Sequence, residues 1–447
     1  MRQLLLNIII LFFSLQAVAQ VSYLEEDEIR TLFKENPSLA AGTKYMYPET
    51  GFTHANAPKG YRAFYISHYG RHGARLETRS TPYDTVSEFL ESAHRDSALT
   101  GFGEDIYRRF SAIYPSLQYS YGDLTVKGQI QHRGIADRMY RNYQSVFKGR
   151  AAVWASASLV PRCVVSMMSF LDQLRILNPK LEMSYSANMA DMYYNALRYP
   201  DCFTQEDFDE LKKNSPFLKE AKESLGRDID LVPFFLRICK SMDYVNDHGG
   251  IVLASAFWNV AGNMQCLDTE ENFDNLFTEE ERYLMWRYSN ISYAAMVGRT
   301  PMTEGLLPQM AQSLLGQILE QAENDILTGE KQIRLRFGHD SVVGPLMSLL
   351  GIEGWTEIVR TPMDIARKVH SFDIPMASNL QFVFYRNRKS PQDILVKLMY
   401  NEKDQILPLK DQSKAPFYSW REFKEHYRVV CDNSRNDIEA SKERHNK

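Results

Sequence analysis

The sequence predicts an α/β fold: a doubly wound, mostly parallel sheet with an inserted, mainly helical cap domain. Three observations carry this. Three well-separated segments repeat one design, an apolar strand, a short polar loop and a helix. In each, the polar residues stand at the carboxyl end of the strand, where open α/β sheets bind ligands. Two intervening stretches, 86–144 and roughly 191–309, show helical periodicity and few strand signals, as an inserted cap would.

The first of the three segments is the strand Tyr61–Ile66, followed by a loop containing Arg71 and His72. The second is the strand Ala151–Ala157, the loop Ser158 to Pro161, and an apolar helix from Arg162 to about Leu177. Ser158 suits a helix N-cap and Pro161 the first helical turn. The third is the strand Gln332–Phe337, with Ile333, Leu335 and Phe337 alternating, then Gly338-His339-Asp340 and the helix Val342–Leu350. The core is thus assembled from 58–85, 145–190 and 310–431. Residues 20–57, with Pro37, Gly42, Pro48 and Gly51, read as a wrapping segment, and the polar tail from Asp432 to Lys447 is expected to fray. Trp258, Trp286, Tyr288 and Tyr293 read as helix core rather than as a ligand stack.

The chain opens with a mostly apolar run from Leu4 to Leu15, followed by Ala17-Val18-Ala19. This reads as a secretory signal peptide, residues 1–19, cut before Gln20. No Cys follows to accept a lipid, and no later segment offers about 18 uninterrupted apolar residues for a membrane span. The expected product is exported, to the periplasm or the medium. The net charge of −4 and the lack of a basic tract give nucleic-acid binding little support. The five cysteines, Cys163, Cys202, Cys239, Cys266 and Cys431, are widely spaced and match no zinc pattern. Their spacing assigns no disulfide pairs, although export would permit them. Cys163, opening an apolar helix, reads as a small buried hydrophobe. Asn290-Ile291-Ser292 matches a glycosylation acceptor, which matters only in a eukaryotic secretory host. Nothing in the sequence marks an oligomeric state.

The chemistry is concentrated in His68-Tyr69-Gly70-Arg71-His72-Gly73-Ala74-Arg75. A histidine can act as a nucleophile. Flanking guanidiniums can grip a tetrahedral anion bidentately, and glycines let the backbone approach a ligand. Together they suggest phosphoryl transfer onto an imidazole. The four-residue spacing of His68 and His72 would suit a metal only on a helix. Gly70 and the preceding strand argue against a helix, so no metal site is assigned, and His68 reads as structural. Arg162 and His339, near helix N-termini, stand where anions are favoured.

These residues also carry a family resemblance. Arg71-His72-Gly73-Ala74-Arg75 resembles the Arg-His-Gly-x-Arg signature of the histidine acid phosphatases, branch 2 of the histidine phosphatase superfamily, which includes phytases and inositol-polyphosphate phosphatases. His339-Asp340 resembles their distal His-Asp pair. Leu124-Thr125-Val126-Lys127-Gly128 is similar to an element between them, and Pro375–Leu380 and Asn401-Glu402 to the family's C-terminal strands. The resemblance covers most of the chain after the signal peptide, in the family's order. It implies His72 as nucleophile, Asp340 as general acid, and Arg71, Arg75, Arg162 and His339 as phosphate ligands, with no metal and no cofactor. Ser156-Ala157-Ser158 stand where the family often has Arg-Ser-Thr, which leaves three pocket arginines. The inositol-polyphosphate branch typically carries His-Ala-Glu in place of His-Asp, so His339-Asp340 speaks against that branch. Thr78-Arg79 stand where the bacterial phytases carry Thr-Lys, a hint of a multiply phosphorylated substrate.

The implied activity is hydrolysis of a small-molecule phosphomonoester. A phosphoglycerate-mutase-like phosphotransferase would share Arg-His-Gly, but the signal peptide and His339-Asp340 argue against it. A non-catalytic phosphate-binding module would be marked by loss of His72 or Asp340, and both are present.

Overall fold

A computed structural model describes residues 23–196 and 205–445. The expected signal peptide and Cys202 lie outside the described residues. The fold is α/β, built on one eight-stranded sheet. In chain order the strands are β1 (Tyr61–Arg71), β2 (Ala152–Ala157), β3 (Glu182–Ser186), β4 (Ile333–Gly338), β5 (Asn379–Asn387), β6 (Ile394–Tyr400), β7 (Lys403–Asp404) and β8 (Tyr418–Ser419). Their spatial order is β3-β2-β4-β1-β5-β6-β7, with β8 on β6. The half from β3 to β1 is parallel, and β5, β6, β7 and β8 add to it antiparallel.

Both faces of the sheet are covered, which is why its central strands read as apolar runs rather than as alternation. Leu380, Phe382 and Phe384 of β5 pack on one face with Leu346 and Phe423. Val383 and Tyr385, of opposite parity, pack on the other with Leu335, Phe337 and Phe170. A third cluster, with Leu90, Phe110, Phe234 and Phe257, belongs mostly to the helical stretches, with Leu76 and Tyr83 joining it from the segment after β1.

The strand-loop-helix design appears in all three segments, with shifted boundaries. β1 ends at Arg71 rather than Ile66, so Arg71 is a strand residue and not part of the loop. Strand pairing on both sides explains this: Arg71 faces Gly338 of β4 and Gly70 faces Asn379 of β5. The second helix is Pro161–Leu177, its N-cap is Val160, and Ser158 makes no cap. The third helix is Asp340–Leu349, with His339 as N-cap residue.

Several peripheral readings change. The N-terminal segment contains a regular helix, Glu26–Glu35, opened by a capping box between Glu25 and Glu28. The helix Val126–Asn142, within the stretch expected as cap, packs Ile135, Ala136 and Met139 into the sheet's own core beside Phe170. The tail from Asp432 continues a helix, Trp420–His445, and buries Ile438 against Leu307 and Met310. Trp286 and Tyr293 are buried and Trp258 partly so, as expected, whereas Tyr288 is exposed. Asn290 is fully buried and its amide bonds the backbone of Ile365 and Val369, so it is no glycan acceptor in the folded chain. Cys163, Cys239, Cys266 and Cys431 are buried and unpaired among the described residues. No helix among the described residues is long and apolar enough to cross a membrane.

Beneath the site, His68 and His132 are buried against Phe337, and His68 also touches Phe170. His68 is therefore structural, as expected. Burial pushes each imidazole down to about 3 from an ordinary 6.5. The unfolded chain binds these protons from about pH 6.5 downward and the folded chain does not, so stability falls as pH drops through that window. His132→Leu should flatten this acid-side loss, read as the urea midpoint against pH for the variant and the parent chain. Parallel curves for the two proteins would count against a neutral buried His132.

Candidate active site

The site lies at the carboxyl ends of β1, β2 and β4. Parallel pairing in register sets Arg71 opposite Gly338, so the residues that follow each strand, His72 and His339, emerge side by side. Their ring centroids are 5.7 Å apart. The backbone N–H of His72 donates to Gly338 O at 3.0 Å, and that of Ala377 donates to His72 O at 2.9 Å. His72 is thereby held on both sides by backbone.

The His72 ring places Nδ1 3.0 Å from Gly73 O. A carbonyl can only accept, which assigns the proton to Nδ1 and leaves the lone pair on Nε2. Burial first, then the charges of Arg71, Arg75 and Arg162 and the nearby His339, press the His72 pKa well below its ordinary 6.5. A neutral imidazole with a free Nε2 is the form in which histidine attacks an electrophile.

Arg71 is fully buried, although it closes a strand. One Nη donates to the carbonyls of Thr43 at 2.5 Å and Ile374 at 2.8 Å, and the other pairs with Asp340 Oδ2 at 2.9 Å. Arg75 donates to Leu76 O at 2.7 Å. Arg71, Arg75 and Arg162 each retain a buried Nε with no hydrogen-bond partner among the described residues. Unpaired buried donors are costly and rare, so three around one imidazole mark a place for an anion. Burial, then Arg75, also lowers the Arg162 pKa, as expected where cations crowd without a counterion.

His339 is set by Ser158, whose Oγ lies 3.1 Å from His339 Nε2. This is the work of the residue expected as a helix cap. Cys163 lies beneath, its thiol donating to Gly338 O at 3.2 Å and standing 3.7 Å from His339 Nε2. Burial first, then Arg162, brings the His339 pKa down to about 4. Asp340 is the first residue of its helix and not the cap. Burial alone would raise its carboxyl, but Arg71, followed by His339 and Arg75, holds it below the ordinary 3.8.

The signature loop is fastened from outside. Thr125 caps the helix Val126–Asn142, and its backbone N–H and hydroxyl both reach Ala74 O, at 2.9 and 3.1 Å. A Cβ on Gly73 would stand 2.5 Å from Gly128 O, and one on Gly128 would stand 2.3 Å from Ala74 O. The element Leu124–Gly128 is therefore a backbone-to-backbone clamp on the loop that carries Arg75. Gly122 closes the other side: its N–H donates to Glu77 O at 2.7 Å, and a Cβ there would lie 3.6 Å from an Arg162 Nη and 3.7 Å from Thr78 Cα. Thr78 thus lies next to the pocket wall, and both Thr78 and Arg79 are exposed. In the C-terminal part, Asn401 and Glu402 make the two-residue left-handed turn between β6 and β7, with φ of 46° and 62°. Sequence reasoning missed Lys44 and Thr43, which reach the signature loop and Arg71 from the N-terminal segment. No local pattern marks such a long-range contact.

The family model of the histidine phosphatase superfamily (branch 2) matches residues 70–401. The chain belongs to that branch. This histidine phosphatase is a phosphoric monoester hydrolase. Its fold is similar to that of a multiple inositol polyphosphate phosphatase from Bifidobacterium longum, solved in complex with inositol hexasulfate. The two share 18% identity and a TM-score of 0.70, over 87% of this chain and 97% of that one. A phytase from D. castellii gives a TM-score of 0.63 at 16% identity, over 88% and 85% of the two chains. A Hafnia alvei phytase in complex with myo-inositol hexakis sulphate gives 0.52 at 15%, over 85% and 99%. No curated protein matches by sequence.

The clamp yields a test of the site's construction. Gly128→Ala should cut phosphate release at least roughly tenfold, because the new methyl group meets Ala74 O and displaces the arginine loop; even an ångström of misplacement is costly in catalysis. Unchanged turnover of an aryl phosphate by Gly128→Ala would show that the loop does not depend on this contact.

Proposed function

We propose that this phosphatase is an exported histidine acid phosphatase that hydrolyses small, multiply phosphorylated alcohols, such as phytate and other inositol or sugar phosphates, through a phosphohistidine. The observation that carries the mechanism is the free Nε2 of a neutral His72 encircled by three arginines with unpartnered buried Nε groups. The substrate class draws on the phosphatase and phytases of similar fold, two of them solved with sulfate analogues of inositol hexakisphosphate, and on Thr78 and Arg79 beside the signature. Export draws on the N-terminal apolar run and the Ala17-Val18-Ala19 cleavage pattern.

In the first step the Nε2 lone pair forms the N–P bond as the bond from phosphorus to the leaving oxygen breaks. Asp340 gives its proton to that oxygen. In the second, water attacks phosphorus, the N–P bond breaks, and Asp340 takes the water proton. Phosphoryl transfer needs positioning and charge stabilisation above all, and Arg71, Arg75, Arg162 and His339 supply both. Asp340 stands below its ordinary pKa in the ligand-free site because of Arg71. A bound phosphate dianion offsets the arginine field and favours the protonated carboxyl, so the first step is favoured in acid. His72 stays neutral there, because its own pKa is pushed down.

His72→Ala should lower turnover by about 10³-fold or more while the chain stays folded, since the imidazole that forms the covalent bond to phosphorus is lost. Rapid quenching of the parent enzyme into denaturant, with mass spectrometry, should place phosphate on His72; turnover by His72→Ala within a few-fold of the parent rejects the assignment.

Asp340→Asn should slow an alkyl phosphate far more than an aryl phosphate bearing a good leaving group, because only the poor leaving group needs the proton. Equal fractional losses on the two substrates would mean that Asp340 merely holds Arg71.

A further inference from the structure

One buried ion pair beside the pocket has no part in the steps above. Lys44 closes the short 3-10 segment Pro37–Lys44, and its ammonium contacts Oε1 of Glu77, two residues beyond Arg75. Both side chains are largely buried, at 15% and 11% exposure. The same ammonium bonds Asn259 Oδ1 at 2.9 Å and Asn259 O at 3.2 Å, from the helix Val252–Asn263. The ammonium thus has two hydrogen-bond acceptors and one ion-pair partner, and the N-terminal segment, the signature loop and a cap helix are joined at one atom.

The other oxygen of Glu77 lies 3.9 Å from an Nη of Arg75. That is an ion-pair distance but too long for a hydrogen bond. Arg75 spends one donor on Leu76 O and keeps its Nε free. Two anions therefore compete for Arg75: the carboxylate of Glu77 and a substrate phosphate. An arginine and a carboxylate this close readily form a bidentate pair. A buried carboxylate that loses its cation is strongly driven to find another.

We propose that Lys44 is a charge guard on the phosphate pocket, holding the Glu77 carboxylate so that Arg75 is left for the substrate phosphate. The proposal rests on the phosphate-site reading given above. Lys44 touches neither phosphate nor nucleophile; it is a positioning residue acting through Glu77. The two charges cancel, so removing both leaves the net charge of the pocket unchanged. Removing Lys44 alone turns Glu77 onto Arg75.

This predicts a pattern across three variants that a merely structural contact would not produce. The probe is inorganic phosphate, by isothermal titration and as a competitive inhibitor of aryl phosphate hydrolysis, at one pH and ionic strength. Lys44→Met should weaken phosphate binding roughly tenfold and raise KM alike, with kcat changed less than about twofold, the signature of lost binding common to ground and transition states. Glu77→Gln should not weaken phosphate. The double variant should return to within about threefold of the parent, a coupling between neighbours that acts as rescue. Unchanged phosphate affinity in Lys44→Met, or a double variant as weak as Lys44→Met, overturns the proposal. If Lys44→Met fails to fold, the double variant is compared with Glu77→Gln, and tenfold weaker phosphate in the double variant overturns it equally. A parent protein that neither binds phosphate nor hydrolyses phosphomonoesters would instead refute the phosphate-site reading, which separates the two failures.

Discussion

The parallel pairing of β1 with β4 is the constraint on which the site depends. Arg71 faces Gly338, and the next residue on each strand is a histidine. The pairing holds because both strands are buried and flanked on either side, by β5 and by β2. A slip of one residue would turn Ile66, Leu335 and their neighbours out of their apolar layers, so the hydrophobic pattern enforces the register. The same register that satisfies the core puts His72 and His339 side by side at the carboxyl end of the sheet, where the strands end and the helix Asp340–Leu349 begins.

That arrangement concentrates positive charge at a buried point, and the structure offsets the charge in part. Arg71 is held by Asp340 and by two backbone carbonyls, which set its guanidinium in place. Glu77 stands beside Arg75 but is held by Lys44. What remains uncompensated is a set of three guanidinium Nε groups and an imidazole kept neutral by burial first and then by their field. The same charges that make the pocket costly without an anion make it receptive to one, and together with burial they disfavour protonation of His72. Glycines 73 and 128 allow this density, because backbone meets backbone where any side chain would collide.

The three chemical segments were legible because each combines a local hydrophobic pattern with polar residues in a fixed order. His72, Asp340, Arg75 and Arg162 stand where that reading put them, just beyond the carboxyl ends of β1, β2 and β4, while Arg71 closes β1 itself. The errors lie where one side chain has two plausible local roles. Ser158 looks like a cap, yet its hydroxyl serves His339, because the turn before Pro161 moves the cap to Val160. Asn290 looks like a surface acceptor, but its helix buries that face beneath Ile365 and Val369. The tail from Asp432 looks too polar for order, yet one apolar residue per few turns suffices when a neighbouring groove receives Ile438.

The sequence by itself determined the fold class and the family and singled out the candidate residues of the site, since each of these is written in short-range pattern and residue order. The tertiary structure decided the protonation and the partnerships. Nothing local marks Thr43 as the acceptor for Arg71, Lys44 as the cation for Glu77, or Gly128 as the surface against which Gly73 packs. Those contacts join residues distant in the chain, as do the burial and the neighbouring arginine charges that shift the pKa values of His72, His339 and Asp340. Burial and charge proximity are properties of packed neighbours, and neighbours exist only once the chain has folded.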